Sequence, residues 1–405
     1  MKAPAAASGA ADAVLDVDEL DQVQLSYDAL SRDPAAAAEV RERLLRRAYA
    51  WHRATNERYD AYARSCGAPD PDDIGWERIP LLPSGLFKQP GLPLRSVAVE
   101  DVAKWCVSSG TSGSRSVVPR DEATLLRFLG SITASMPALY DLERVGGHRG
   151  IVLGPSAHDA GDLWFSYVIG CLSLVMQTEA FERDGAFDVD AAAGLYLDVT
   201  ARGEDVLVIG PPARVLAFTR AVTAAATRGG GQVPALPPRS YLVTAGGWKG
   251  EQARSIDPGS FRELVAGALH VRDRSQIRDS YNMVELNSVL HECAHHVKHV
   301  PPWVAAQARD PRSDEPLPDG TEGILAFWDP TATSFPGFVL SEDFGVVRSG
   351  TCRCGYSSAQ VEVVRRVSTV ENRGCALKMA AGHATGGRDE GADRFFRVPR
   401  EEVPS

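Results

Sequence analysis

The chain has 405 residues, 44% hydrophobic and 24% charged, the balance of a globular protein with one large core and room for a small second unit. A net charge of −10 argues against a nucleic-acid partner, since holding a phosphate backbone requires a basic face. No apolar run approaches the roughly 20 residues that span a bilayer, so membrane insertion is not expected. Seven cysteines are too sparse for a disulfide scaffold, and metal or thiol chemistry is the better expectation for any that matter.

Met1 to Val17 is Ala-rich, with one lysine and several aspartates. It lacks the basic start and apolar core of a signal peptide and reads as a disordered tail, residues 1–18, on a cytoplasmic protein. Glu19 to Cys66 carries apolar residues at helical spacing through Val40, Leu44, Leu45, Ala48, Trp51 and Tyr59. Turn residues fill Gly67 to Asp73, and Ile79-Pro80-Leu81-Leu82-Pro83 is a proline-rich connection. The apolar Trp105-Cys106-Val107 then runs into Ser108-Ser109-Gly110-Thr111-Ser112-Gly113-Ser114-Arg115-Ser116, followed by a helix-like stretch from Glu122 to Leu129. Glycine lets a backbone bend through positive φ and approach a ligand, and the N–H groups and hydroxyls so exposed suit phosphate oxygens. A Ser/Gly run is also an ordinary flexible linker, but this one lies between two structured segments rather than between domains.

Beyond residue 100, short β-branched runs alternate with helix-like stretches. Ile151-Val152-Leu153 ends in Gly-Pro, Val206-Leu207-Val208-Ile209 in Gly-Pro-Pro and Tyr241-Leu242-Val243-Thr244 in Ala-Gly-Gly. Buried parallel strands read this way, with turns at the carboxyl ends where open α/β sheets place ligands. From about residue 320 shorter runs suggest an antiparallel portion.

Five further segments carry candidate chemistry. Gly246-Gly247 is a glycine pair at a strand end, and Glu285 follows Tyr281-Asn282-Met283-Val284 near the start of an apolar-periodic stretch, where a helix-start role competes with a ligand role. Ser341-Glu342-Asp343-Phe344-Gly345 reads as an acidic pair before a glycine turn. The histidine and cysteine cluster supports two metal readings. His291-Glu292-Cys293-Ala294-His295 fits His-Glu-x-x-His, in which two histidines one helical turn apart bind zinc and the glutamate is general base. Alternatively Cys293, His299, Cys352 and Cys354 form a Cys₃His set, the four-coordinate arrangement of structural zinc. The remaining reading is unliganded thiols and surface histidines. Finally Cys375 lies near Arg373 and Lys378, positive neighbours that favour a thiolate, although most lone cysteines are small hydrophobes.

In this order the pieces resemble the adenylate-forming superfamily of acyl- and aryl-CoA synthetases, and most closely its LuxE-like acyl-protein synthetase branch, from about Phe87 to Leu377. His299-Val300-Pro301-Pro302-Trp303, Asp329-Pro330-Thr331-Ala332-Thr333-Ser334, Cys352-Arg353-Cys354-Gly355 and Arg373-Gly374-Cys375-Ala376-Leu377 point to that branch. The resemblance implies an α/β fold with parallel sheets, flanking helices and a smaller β portion in an adenylate-forming core over residues 19–364. Residues 365–405 then correspond to a hinge and a truncated C-terminal domain, because few residues follow Arg373.

It also implies ATP-dependent activation of a small-molecule carboxylic acid to an acyl-adenylate, followed by transfer to a thiol or an amine. Ser108, Ser109, Gly110, Thr111, Ser112, Gly113 and Arg115 correspond to the phosphate loop, and Thr244 to Lys249, with Gly246 and Gly247, to the adenine-binding turn. Tyr281 to Glu285 resembles the family's Tyr-Gly-x-Thr-Glu motif, making Tyr281 and Asn282 nucleotide contacts and Glu285 the magnesium ligand. Asp343 falls at the ribose-binding aspartate and Arg366 at the following arginine. Cys375 is the candidate acyl acceptor, ahead of a carrier protein, CoA or an amine, and either Lys378 or a partner is the candidate replacement for the catalytic lysine of the missing domain. Three departures stand out: Asn282 and Val284 replace glycine and threonine, and Arg115 ends the loop where many members have lysine. The acid-binding residues are expected from His158 to Tyr167 and at Tyr281. Two rival functions remain at this level, a zinc hydrolase using His291, Glu292 and His295, and a catalytically silent nucleotide-binding subunit.

Overall fold

The computed structural model describes residues 17–89, 94–109, 115–140, 142, 147–248 and 256–366. The N-terminal helical region divides into helices Val17–Leu25, Tyr27–Arg32, Pro34–Thr55 and Glu57–Ser65. Asp33 starts the long one by accepting hydrogen bonds from the N–H groups of Ala35 and Ala36, with Pro34 at the first helical position. Asn56 ends that helix and caps the next by accepting from Tyr59 N–H at 3.0 Å. Leu44, Leu45, Ala48 and Tyr49 form the buried stripe, while half-buried Trp51 donates its indole N–H to the Thr333 carbonyl at 2.9 Å.

One 12-stranded sheet organises the rest. Its parallel half runs, in spatial order, through Thr178–Ala180, Arg149–Val152, Val206–Gly210, Tyr241–Ala245 and Ile277–Tyr281. Side chains alternate across such strands, and here both faces are covered. Ile151, Val206, Val208 and Leu242 face helices Val189–Ala201, Pro212–Arg228 and Pro258–Ala268, whose Tyr196, Val215, Phe218 and Val265 complete one core. Val152, Leu207, Ile209 and Val243 face the other core, with Phe128, Ile132 and Met136 of helix Glu122–Tyr140. No described helix is long and apolar enough to cross a membrane.

The antiparallel half starts earlier than the sequence suggests. It comprises Leu290–Glu292, Lys298–His299, Gln360–Arg366, Phe338–Arg348, Glu322–Trp328 and Ala305–Arg309, and the twelfth strand, Leu82–Pro83, pairs in parallel with Phe338–Arg348 off this path. Two local readings change. Ser341 to Gly345 is not a turn but the middle of an 11-residue strand. Pairing on both sides supplies backbone hydrogen bonds that outweigh the poor strand propensity of aspartate and glycine. A register irregularity falls between Phe344 and Gly345, where a Cβ on Gly345 would stand 2.3 Å from the Glu362 carbonyl oxygen. The segment before the Ser/Gly run belongs to a separate hairpin, Lys104–Val107 against Val117–Arg120, so the run connects two antiparallel strands. The helix after it extends through Pro137 to Tyr140, well beyond Leu129.

Candidate active site

The hairpin holds both ends of the Ser/Gly run. Ser108 N–H donates to the Ser116 carbonyl at 3.0 Å, and Ser116 N–H donates to the Ser108 hydroxyl at 2.9 Å. Ser108 and Ser109 line a cleft that opens to solvent, together with Phe165, Gly246, Asn282 and Val284. Arg115 is exposed. Gly110, Thr111, Ser112 and Gly113 lie outside the described residues, as does Lys249.

The cleft sits at the carboxyl ends of the parallel strands, where strand Tyr241–Ala245 leads into Gly246 and Gly247. Both glycines have positive φ, +81° and +61°. A Cβ on Gly246 would stand 2.2 Å from the Phe165 ring, so this position demands glycine for space as well as conformation. Trp164 and Phe165, both within the expected acid-binding stretch, line the cleft with Val168, Met283 and Val289, whereas His158 is exposed. Tyr281 instead donates its hydroxyl to Asp343 at 2.8 Å, and Asp343 stands opposite Arg366 in the sheet register.

Tyr281 to Glu285 leaves the last parallel strand as an extended turn, so Glu285 is not a helix-start residue. The Asn282 side chain is consumed in shaping that turn. Its oxygen accepts from Trp164 Nε1 at 2.7 Å, and its amide donates to the carbonyls of Leu286 and Ser288, both at 2.9 Å. Glu285 is buried, and burial pushes its carboxyl pKa up against the lowering pull of Ser116, its own backbone N–H and Lys88. Such a carboxylate favours a cation beside it. Sequence reasoning missed two basic residues here. Lys88 pairs with Glu342, and both act electrostatically on Glu285. Arg120, fully buried, donates to the Val284 carbonyl at 2.7 Å and Asn287 Oδ1 at 3.0 Å, while its guanidinium lies 3.5 Å from the centre of the Trp164 ring. Neither has a local signature; each is one basic residue among the 43 of the chain.

The His-Glu-x-x-His reading does not survive the fold. Leu290–Glu292 is a strand, so His291 and Glu292 point to opposite faces, and His295 lies in an exposed turn. His291 Nδ1 contacts the Ser280 hydroxyl at 2.7 Å. Glu292 accepts from Arg262 and Lys298, each at 3.1 Å, and from Asp279 N–H at 2.9 Å. Burial alone would raise its pKa, but His296, Lys298 and Arg262 hold it well below the usual carboxylate range, leaving no base for a hydrolase. Cys293, His299, Cys352 and Cys354, by contrast, do meet, with donor atoms all within 4.8 Å of one another. Cys375 and Lys378 lie outside the described residues.

Comparison with known proteins identifies the family and the fold. A family model described as acyl-protein synthetase, LuxE, matches residues 7–383. The long-chain-fatty-acid–luciferin-component ligase of Aliivibrio fischeri is 32% identical over 349 residues, covering 84% of this chain and 88% of that protein. Its counterpart from Vibrio harveyi is 32% identical over 351 residues with the same coverage. Among solved structures, a 2-hydroxyisobutyryl-CoA ligase bound to 2-HIB-AMP and CoA in its thioesterification state shares the fold, with a TM-score of 0.62 at 16% identity over 84% of this chain and 70% of that one.

Proposed function

The chain is an acid ligase that belongs to the LuxE acyl-protein synthetase family, and we propose that it uses ATP to activate a carboxylic acid of the fatty-acid class and passes the acyl group to a thiol. The observation that carries this reading is the cleft, which brings Ser108 and Ser109, Gly246, and the Asn282–Val284 turn leading into Glu285 to the carboxyl ends of the parallel strands.

An oxygen of the substrate carboxylate attacks the α-phosphorus of ATP, the bond to the bridging oxygen breaks, and pyrophosphate leaves with an acyl-adenylate formed. The protein's task is to position the reactants and to neutralise charge. The hydroxyls and N–H groups at Ser108 and Ser109 support binding of phosphate oxygens. The Gly246–Gly247 turn, with the Phe165 ring packed on Gly246, supports binding of the adenine, and Asp343, oriented by Tyr281, accepts from the ribose hydroxyls. Magnesium fits the hard oxygen donor of Glu285, a buried carboxylate in need of positive charge, and when bound it would screen the phosphate oxygens. Trp164, Phe165, Val168, Met283 and Val289 give an apolar wall suited to an acyl chain. A thiolate then attacks the acyl carbon and AMP leaves. Cys375, a carrier protein or CoA fits this step by chemistry, and an amine would serve in the same way.

Carboxylate-dependent exchange of labelled pyrophosphate into ATP, run over fatty acids of graded length and a set of aryl and amino acids, tests the first step. Exchange with fatty acids is the expected result. ATP binding without exchange for any acid would identify a silent nucleotide-binding subunit instead. For the second step, intact mass after incubation with ATP and the acid should show an acyl adduct that Cys375→Ser loses; no adduct with the wild type would assign the acceptor to another molecule.

A further inference from the structure

Away from the cleft, four soft donors converge where no step of the ligase reaction uses them. We propose that Cys293, His299, Cys352 and Cys354 form a closed structural zinc centre that ties strand Gln360–Arg366 to the rest of the sheet. A tetrahedral zinc with bonds of about 2.3 Å to sulfur separates its sulfur ligands by about 3.8 Å. The Cys293 and Cys352 sulfurs are 3.8 Å apart, and the Cys354 sulfur is 3.3 Å from His299 Nε2.

The backbone around the donors is built for this. Two tight turns present the cysteines. In one, Cys293 N–H donates to the Val297 carbonyl at 2.9 Å, His296 N–H returns to the Cys293 carbonyl at 3.0 Å, and His296 takes a φ of +58°. In the other, Cys352 N–H donates to the Tyr356 carbonyl at 2.8 Å, Gly355 N–H returns to the Cys352 carbonyl at 2.9 Å, and Gly355 has a φ of +91°. His295 N–H points at the Cys293 sulfur at 3.4 Å, a donor that stabilises thiolate charge. The Ser358 hydroxyl contacts His299 Nδ1 at 2.8 Å, and this outer partner aims Nε2 at the cluster. Cys293, His299 and Cys352 are buried, so the set is filled by protein and offers no open coordination position for catalysis. On binding, three thiol protons go to solvent and the three thiolates and neutral imidazole take one zinc ion.

The location explains what the metal would hold. His299 is paired in register with Gln360, at the start of the strand that runs to Arg366, opposite Asp343. The cysteine turn also docks on the N-terminal region, with Ser357 N–H donating to the Ser31 carbonyl at 2.7 Å and the Tyr356 hydroxyl to Asp28 at 2.6 Å. One ion therefore crosslinks segments that are distant in sequence, at the root of the strand leading toward the nucleotide site.

Elemental analysis of the full-length chain, purified without added metal and dialysed against EDTA, should find about one zinc per chain. The Cys352→Ser/Cys354→Ser double variant should lose it at least tenfold, and protein produced with cobalt should show the intense sulfur-to-cobalt charge-transfer band of a tetrahedral thiolate site. A wild-type footprint covers the case of an insoluble variant. Cys293, Cys352 and Cys354 should resist iodoacetamide until a mercurial displaces the metal, while half-buried Cys66 reacts without it. Metal-free wild type that folds and exchanges pyrophosphate, zinc retained by the double variant, free alkylation of the three thiols, or a Cys293–Cys352 disulfide in the native protein would each overturn the site. Folding of the metal-free chain, read by circular dichroism, decides the first of these without pyrophosphate exchange, and the other three do not depend on the adenylation reading.

Discussion

Two residues show how narrowly the cleft is specified. Gly246→Ala places a side chain at a φ of +81° and drives its Cβ into Phe165. The left-handed conformation alone costs about 1–2 kcal/mol. The variant should fold but raise KM for ATP about tenfold or more, equivalent to about 1.4 kcal/mol or more of lost binding. Adding Phe165→Ala should recover part of it by removing the clash; an unchanged KM in Gly246→Ala would show that ATP does not bind at this turn. Arg120 acts through the Glu285 turn, because it donates to Val284 and Asn287 on either side of Glu285. Arg120→Met strands both acceptors in the interior and should cost about 2–4 kcal/mol of stability. Arg120→Lys keeps a charge but lacks the two-point fork, so it should regain stability without regaining pyrophosphate exchange. Equal exchange in Arg120→Lys and wild type, across magnesium concentrations, would reduce Arg120 to a core residue.

At the level of elements, Glu292 joins the parallel half of the sheet to the antiparallel half. It connects helix Pro258–Ala268 through Arg262, strand Ile277–Tyr281 through Asp279 N–H, and strand Lys298–His299 through Lys298. Glu292→Gln would leave Arg262 and Lys298 partly uncompensated in the interior, and unfolding in urea should show a loss of about 3–5 kcal/mol. Its carboxyl pKa is depressed in the folded state, so this contribution is present above the ordinary glutamate pKa of about 4.3 and is lost as pH falls through the folded value. A stable Glu292→Gln protein would contradict this role.

For the whole molecule, acid sensitivity follows from two buried histidines. Burial lowers the pKa of both His52 and His291 to about 3. Above about pH 6.5 the rings are neutral whether folded or not; below it the unfolded chain takes up protons that the folded chain refuses until about pH 3. Each ring should therefore remove about 1.4 kcal/mol of stability per pH unit in that window. His52 accepts from Ser96 and donates to the Ala332 carbonyl, bonds that an amide reproduces, so His52→Gln should fold and shed one proton's share of the slope. Urea midpoints constant from pH 7 to pH 4.5 would refute it.

The sequence by itself determined the class of fold and the segments worth watching. Apolar runs ending in glycine and proline mark parallel strands because burial and turn chemistry are local demands, and the Ser/Gly run, the glycine pair, Glu285 and the Cys₃His spacing were visible for the same reason. The tertiary structure decided which side chains meet. His291-Glu292-Cys293-Ala294-His295 matches a helical motif letter by letter, yet pairing with Ile277–Tyr281 and Lys298–His299 makes its first part a strand and spends Glu292 in an ion-pair network. Arg120 and Lys88 carry no local pattern, since they reach Glu285 from segments more than 150 residues away in the chain. The physical reason is the same in each case. Periodicity and turn residues report what a backbone segment must satisfy on its own, whereas strand order and register determine its neighbours, and the chemistry of the site lies between neighbours.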